Sequence, residues 1–244
     1  MHSKCAGKLC GKLVYRGMFI VFGIDIHADD PLPVASELMG WVEQAHPGCV
    51  ILAMSWDKRD DRPYENILRG LRFSVEREKA YYSRSLEEWL SPYEDSFSYR
   101  PLIDIGRDSL IQLLGEVRTG DHGEDQETSI QESFPALLES MSRPFALKWK
   151  AAYLNDEIAG IMLPDIYPDE PHKGTITYIG IRPRFRGRGL ARILHAKALS
   201  DLAMLGVKTY VGSTHIRNTA MRKVFESNGC ALTGIRRHWK RDIA

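Results

Sequence analysis

Residues Ile179-Gly180-Ile181-Arg182-Pro183-Arg184-Phe185-Arg186-Gly187-Arg188-Gly189-Leu190-Ala191 join three local codes within thirteen positions. Branched apolar residues end a strand, an Arg/Gly turn follows, and Leu190-Ala191 opens a helix. Glycines at 187 and 189 let main-chain N–H groups approach a ligand without a Cβ in the way. Those donors, with the positive end of the following helix, form an anion site suited to a pyrophosphate. Arg184, Arg186 and Arg188 add positive charge. A solvated basic turn that merely starts a helix is the plainer reading, and the density of Gly and Arg at a strand-to-helix junction argues against it.

Working outward, Thr175 to Ile181 reads as a strand, Leu190 to Leu205 as a long helix, Val207 to Thr214 as a strand and Asn218 to Ser227 as a helix. Ala231 to Lys240 is a last strand-like run. Upstream, Phe97 to Leu102 is a strand, and Asp108 caps a helix with Leu110, Ile111, Leu113, Leu114 and Val117 at helical spacing. Thr119 to Thr128 is a loop and Ile130 to Met141 a second helix. Phe145 to Leu154 and Ile158 to Leu163 flank the turn Asn155-Asp156-Glu157, a hairpin. Asp165 to Gly174 reads as a Pro-rich acidic connection. This order gives an α/β (α+β) fold, a mixed central sheet with helices on its faces.

Arg184-Phe185-Arg186-Gly187-Arg188-Gly189 resembles the acetyl-CoA motif of the GNAT N-acetyltransferases, Gln/Arg-x-x-Gly-x-Gly/Ala. Ile181-x-Pro183 is similar to that family's Val-x-Pro at the end of its fourth strand. Asn218-Thr219-Ala220-Met221 through Val224-Phe225-Glu226-Ser227-Asn228-Gly229-Cys230 resembles the family's Asn-x-x-Ala-x-x-Leu-Tyr-Glu-x-x-Gly-Phe helix. The resemblance covers about Phe97 to Ala244 and implies the GNAT fold, with acetyl-CoA as acyl donor and no metal. It implies that Ile179 and Ile181 offer backbone groups to the pantetheine arm. Arg186, Gly187, Arg188, Gly189, Leu190 and Ala191 would cradle the pyrophosphate through main-chain N–H groups. Asn218 would hydrogen-bond near the pantetheine, a role compatible with capping its helix, and Phe225 would stand where the cofactor thiol passes.

Two departures bear on catalysis. Many family members carry a Tyr that protonates the departing thiolate, and Phe225 here has no proton to give. Many use a Glu or His base on the fourth strand, where this chain offers Thr175 and Thr177. No catalytic residue is therefore assigned. Tyr178 and Ser213 are candidate proton donors, each also readable as a packed strand residue. Asp165, Glu170 and His172 are candidate remote bases, also readable as solvated loop charges.

The N-terminal region reads as a worn second copy of the same half-fold. Ile24-Asp25-Ile26-His27 aligns on Gly180-Ile181-Arg182-Pro183, and Val50 to Met54 on Val207 to Val211. Residues 18–26 read as a strand, Pro33 to Ala45 as a helix, Cys49 to Met54 as a strand, Tyr64 to Leu71 as a helix and Phe73 to Tyr82 as an extended tail. The copy places Asp29, Asp30, Pro31 and Pro33 on the phosphate turn, where carboxylates repel pyrophosphate and prolines remove donors. The expectation is a truncated, non-catalytic GNAT-like module over 1–92 and a GNAT domain over 97–244, divided at the turn-rich Leu90 to Asp95, a tandem GNAT. An unrelated α/β extension is the alternative.

Composition excludes other classes. The 244 residues carry 33 Lys+Arg against 32 Asp+Glu, too even for a general nucleic-acid binder. The basic stripe from Arg182 to Arg192 has little aromatic interleaving beyond Phe185. Four cysteines lack the spacing of a disulfide framework or zinc site, which suggests a cytoplasmic chain with reduced thiols. No run approaches the roughly 18 apolar residues of a membrane span. The run Met18 to Phe22 behind Lys4, Lys8 and Lys12 mimics a signal peptide but leads into Asp25 without a cleavage site. The expected activity is acetyl transfer to a primary amine of a small molecule or peptide by direct attack in a ternary complex. The acidic connection would favour a cationic acceptor, a homodimer is left open, and an acyl-CoA-binding sensor is the runner-up.

Overall fold

The computed structural model describes residues 12–15, 18–21, 40, 50–57, 63–120 and 148–242. The helices expected over Pro33 to Ala45 (Gly40 apart) and Ile130 to Met141, and the turn with Asp29 and Asp30, lie outside these residues. Contacts divide the chain into two compact units, Met1–Tyr81 with Thr233–Ala244, and Tyr82–Leu232. The break at Leu90 to Asp95 falls within the second unit.

In the first unit, β1 (Lys12–Tyr15) pairs antiparallel with β2 (Met18–Val21), and β2 runs parallel to β3 (Val50–Asp57). Helix α1 (Pro63–Gly70) leads into β4 (Ser74–Ser85). The last strand, β10 (Ala231–Asp242), pairs antiparallel with β3 from Ile235↔Asp57 to Asp242↔Val50. Alternation along β10 buries Ile235, Arg237 and Trp239 on one side. The buried Arg237 is matched by Glu78 on β4, whose carboxylate accepts from Nε at 2.6 Å. An arginine so enclosed requires such a partner.

The second unit carries the remaining elements. β5 (Ser98–Pro101) and a 3₁₀ turn (Leu102–Ile105) precede α2 (Arg107–Arg118). Then come β6 (Lys150–Leu154), β7 (Glu157–Tyr167), β8 (Glu170–Ile181), α3 (Leu190–Met204), β9 (Thr209–His215) and α4 (Thr219–Ser227). The strand order is β9-β8-β7-β6-β5, antiparallel except for the parallel pair β8 and β9. It is a mixed sheet with helices on both faces, as expected. Asn155 (φ 50°) and Asp156 (φ 63°) make the β6–β7 turn, the left-handed pair that a tight hairpin demands. Leu110, Leu113, Leu114 and Val117 of α2 pack with Trp149, Ile161 and Leu163 on one face. Leu190, Leu194 and Ala198 of α3 pack with Met162, Ile181 and Phe185 on the other.

One expectation is corrected. Asp165 to Gly174 is not a connection: β7 continues to Tyr167 and β8 begins at Glu170. Its prolines fall where a missing N–H breaks no regular ladder, Pro168 between the two strands and Pro171 within the register shift from Ile166↔Gly174 to Tyr167↔Glu170.

The layers meet closely at glycines. A Cβ on Gly160 would stand 2.6 Å from the Gly180 carbonyl oxygen, and one on Gly180 3.0 Å from Cβ of Val117. Gly160→Ala is therefore expected to destabilise the fold by about 1–3 kcal/mol, the usual cost of overpacking. Urea denaturation checks this, and an unchanged midpoint would refute the tight approach. His195, wholly buried on α3, has its pKa pulled down to about 3 from 6.5 by burial. Its stability contribution is complete above pH 6.5 and is lost as pH falls toward 3, because the unfolded chain there binds the extra proton. Denaturation across that range is expected to show a slope of up to about 1.4 kcal/mol per pH unit, which His195→Gln removes.

Candidate functional site

A cavity of about 440 Å³ opens in the second unit. Its walls are Tyr178 to Ile181 of β8, the turn and first residues of α3, one face of α4, and Val117 and Gly120 at the end of α2. It exists because β8 and β9 part. They pair only at Lys173↔Thr209 and Gly174↔Tyr210. Beyond Gly174 the β9-facing edge of β8 has no ladder partner there, and its backbone groups face the gap.

A β-bulge aims the strand. Leu163 pairs with Tyr178 but Pro164 with Ile176, leaving Thr177 as the extra residue. Its hydroxyl donates to the Leu163 carbonyl at 2.9 Å. Tyr178 consequently joins the α2-side cluster, while Ile176 and Ile179 join the α3-side cluster. The bulge takes Thr177 out of the simple alternation with Thr175.

The turn after β8 carries the anion-binding geometry. Gly187 (φ 77°) and Gly189 (φ 73°) are left-handed, and a Cβ on Gly187 would meet nothing within 4 Å. Gly189 N-caps α3 with no side-chain capping bond, so the first N–H groups of a 15-residue helix lack a capping side chain. Among the described residues, Arg186, Arg192 and Lys223 are the charged ones on the wall, and no described carboxylate lines the cavity. Positive-φ glycines, uncapped donors and the basic Arg192 and Lys223 on the wall together fit a pyrophosphate.

Most of the arginines act structurally. Nε of Arg186 donates to Ile181 O at 2.8 Å, and its Nη atoms to Thr119 O at 2.6 Å and Val117 O at 2.9 Å. The guanidinium fixes the end of α2 against the turn, so Arg186 can serve a ligand only through its main chain. Arg182 pairs with Glu116 at 2.6 Å and Arg184 with Glu157 at 3.3 Å. Arg188 donates to Arg184 O at 3.4 Å and is not on the cavity wall.

The cavity gathers Ile179, Ile181, Arg186, Gly187, Gly189, Leu190, Ala191 and Asn218, all named from sequence, together with Tyr178. Asn218 caps α4, its Oδ1 accepting from Met221 N at 3.0 Å. Besides Arg188, Phe225 and Ser213 were named from sequence and lie off the wall. Phe225 is 2% exposed and stacks on Tyr82 at 4.7 Å, edge-on to His195, so its ring belongs to the core behind the wall. Ser213 is exposed on β9 and off the wall. Sequence reasoning missed Lys223, Val224 and Ser227, though their spacing from Ala220 marks one helical face. It had no signal for Val117 and Gly120, which only tertiary packing brings here.

Residues 108–230, just over half of the chain, match the Acetyltransferase (GNAT) family. This chain belongs to the GNAT acetyltransferase family. The GNAT N-acetyltransferase of Sphaerobacter thermophilus superposes with a TM-score of 0.67 at 15% identity, over 95% of this chain and 75% of that one. A tandem GNAT protein of a clavulanic acid biosynthesis pathway gives 0.58 at 12% identity, over 93% and 75%. A GNAT N-acetyltransferase of Kribbella flavida gives 0.57 at 8%, over 93% and 82%. No curated protein matches by sequence. These structures share the GNAT fold with this chain, and the family's activity is acyl transfer to an amine. Among the described residues there is no group of metal ligands and no helix long and apolar enough to cross a membrane.

Gly187→Asp tests the cradle. The side chain has room, and Asp tolerates left-handed backbone better than most residues. The melting temperature should stay near that of the wild type. CoA affinity measured by calorimetry should fall about 100-fold or more, since juxtaposed like charges cost several kcal/mol. Retained affinity would contradict the assignment.

Proposed function

We propose that this chain is an N-acetyltransferase, moving an acetyl group from acetyl-CoA to a primary amine by direct attack in a ternary complex. One observation carries the reading: the uncapped N-terminus of α3, with Gly187 and Gly189, opens onto the gap where β8 and β9 part. The bound thioester supplies an activated acyl carbonyl and a tolerable leaving group. Main-chain N–H groups from Gly187 to Ala191 hold the pyrophosphate. Backbone groups of Ile179 and Ile181 align the pantetheine arm along the open edge of β8, and Asn218 borders it from α4.

Orientation supplies most of the acceleration in such a site. Tyr178 is the β8 wall residue with a dissociable proton, so it is assigned the proton transfer to the departing thiolate. The acceptor amine reaches the site neutral, its proton passing to water. The reading includes a cytoplasmic setting and a small-molecule or peptide acceptor.

The reading also takes residues 1–92 as a truncated, non-catalytic GNAT-like module. Its support is topological: parallel β2 and β3, then α1, then β4 repeat the order of parallel β8 and β9, α4 and β10.

A second reading is an acyl-CoA sensor. It is favoured by the absence of carboxylate or imidazole among the described residues lining the cavity. The two readings separate in one experiment. Acetyl-CoA should raise the melting temperature, and thiol release should appear with at least one member of a broad amine panel. Binding without turnover selects the sensor, and no binding rejects both.

Phe225→Tyr bears on the missing acid. The ring is enclosed by Tyr82, His195 and Tyr210, so an added hydroxyl is a buried polar group in a packed core. A stability loss of about 1–3 kcal/mol with no rise in turnover is expected. A faster enzyme would place this ring in the reaction path.

A further inference from the structure

Asn228 lies behind the cavity, 1% exposed and not itself on the wall. Its Nδ2, with two hydrogens, lies within hydrogen-bond reach of three groups: Arg192 O on α3 at 3.1 Å, Val224 O on α4 at 3.2 Å and His195 Nδ1 at 3.0 Å. Arg192 and Val224 both line the cavity, on opposite helices. In the tautomer with Nδ1 as acceptor, His195 carries its proton on Nε2. That nitrogen donates to the Tyr210 hydroxyl at 3.2 Å, on β9. One amide thereby links the first turns of α3, the end of α4 and the strand that bounds the gap.

The main chain holds Asn228 in place. The Arg84 guanidinium donates to its carbonyl at 2.6 Å. Gly229 follows at φ 65°, closing the helix end, and a Cβ there would collide with Arg84. Asn228 Oδ1 is buried and finds no hydrogen-bond partner among the described residues. An unsatisfied buried acceptor is a cost, one the packing tolerates while the Nδ2 side makes three contacts.

We propose that Asn228 is a positioning residue for the cofactor cradle, fixing the first turn of α3 relative to α4 so that both walls meet the nucleotide end of CoA at one separation. This rests on the acyl-CoA reading of the cavity. The residue touches no ligand; it acts through Arg192, Val224 and His195. His195 suits the relay because burial keeps it neutral, holding pKa about 3, so its Nδ1 remains an acceptor at physiological pH.

The test uses the full-length chain, CoA and calorimetry, with melting temperatures measured alongside. Asn228→Ala is expected to weaken CoA binding about ten- to hundredfold, as misplacements of about 1 Å do. His195→Leu is expected to weaken it in the same direction, and the double variant to lose less than the product of the two losses, because both remove one linkage. Asp201→Asn is the stability control: this buried carboxylate binds Lys150 and Lys197 near the far end of α3. It should lower the melting temperature without changing CoA affinity. Should Asn228→Ala fail to fold, Asn228→Ser, which keeps a shorter donor, carries the same comparison.

Wild-type affinity in the Asn228 variant, or an equal loss in Asp201→Asn, overturns the proposal by reducing Asn228 to a stabilising residue. If the wild type itself binds no CoA, the reading of the cavity fails first and the proposal falls with it.

Discussion

Two parallel strands that pair at one end and then separate govern this structure. β8 and β9 are joined only at Lys173–Gly174 and Thr209–Tyr210. An open strand edge inside a protein must find other partners for its polar groups. Here it borders a cavity whose other walls are the starts of two helices. The bulge at Thr177 belongs to the same geometry, because it decides which β8 side chains enter each layer. Close packing at Gly180 brings α2 near enough for Val117 and Gly120 to complete the wall.

Charge within the site follows a division of labour. A string of arginines beside a phosphate-binding turn suggests side chains gripping an anion. Instead Arg182 and Arg184 pair with glutamates, and Arg186 is consumed by three carbonyls. In the proposed acyl-CoA reading the anion is met by backbone donors, which cannot change rotamer and lose little entropy on binding, with Arg192 and Lys223 beside them on the wall. Arg186 is therefore better described as the brace that holds the end of α2 to the turn.

Short-range features were readable in the sequence and cross-chain ones were not. The hairpin at Asn155-Asp156, the stripe Leu110–Val117 and the turn Arg184–Gly189 are each set by neighbours a few residues away, and each folds as read. Phe225 was placed beside the cofactor by motif position, but which way a ring on α4 points depends on Tyr82, His195 and Tyr210, distant in sequence. The stretch Asp165 to Gly174 looked like a connection because proline disfavours strands, and only the register shift beside Tyr167 shows how it fits. The buried Asn228–His195–Tyr210 chain has no local signature, since its members are polar residues separated by helix and strand.

The central claim is that backbone donors of the α3 N-terminus hold the pyrophosphate of an acyl-CoA. A crystal structure with CoA bound tests it most directly. The account predicts pyrophosphate oxygens within hydrogen-bonding distance of the main-chain N–H groups between Gly187 and Ala191, with the thiol end lying along β8 toward Tyr178. A pyrophosphate held by the side chains of Arg184 and Arg188 on the outer surface, or CoA bound away from this cavity, would contradict it.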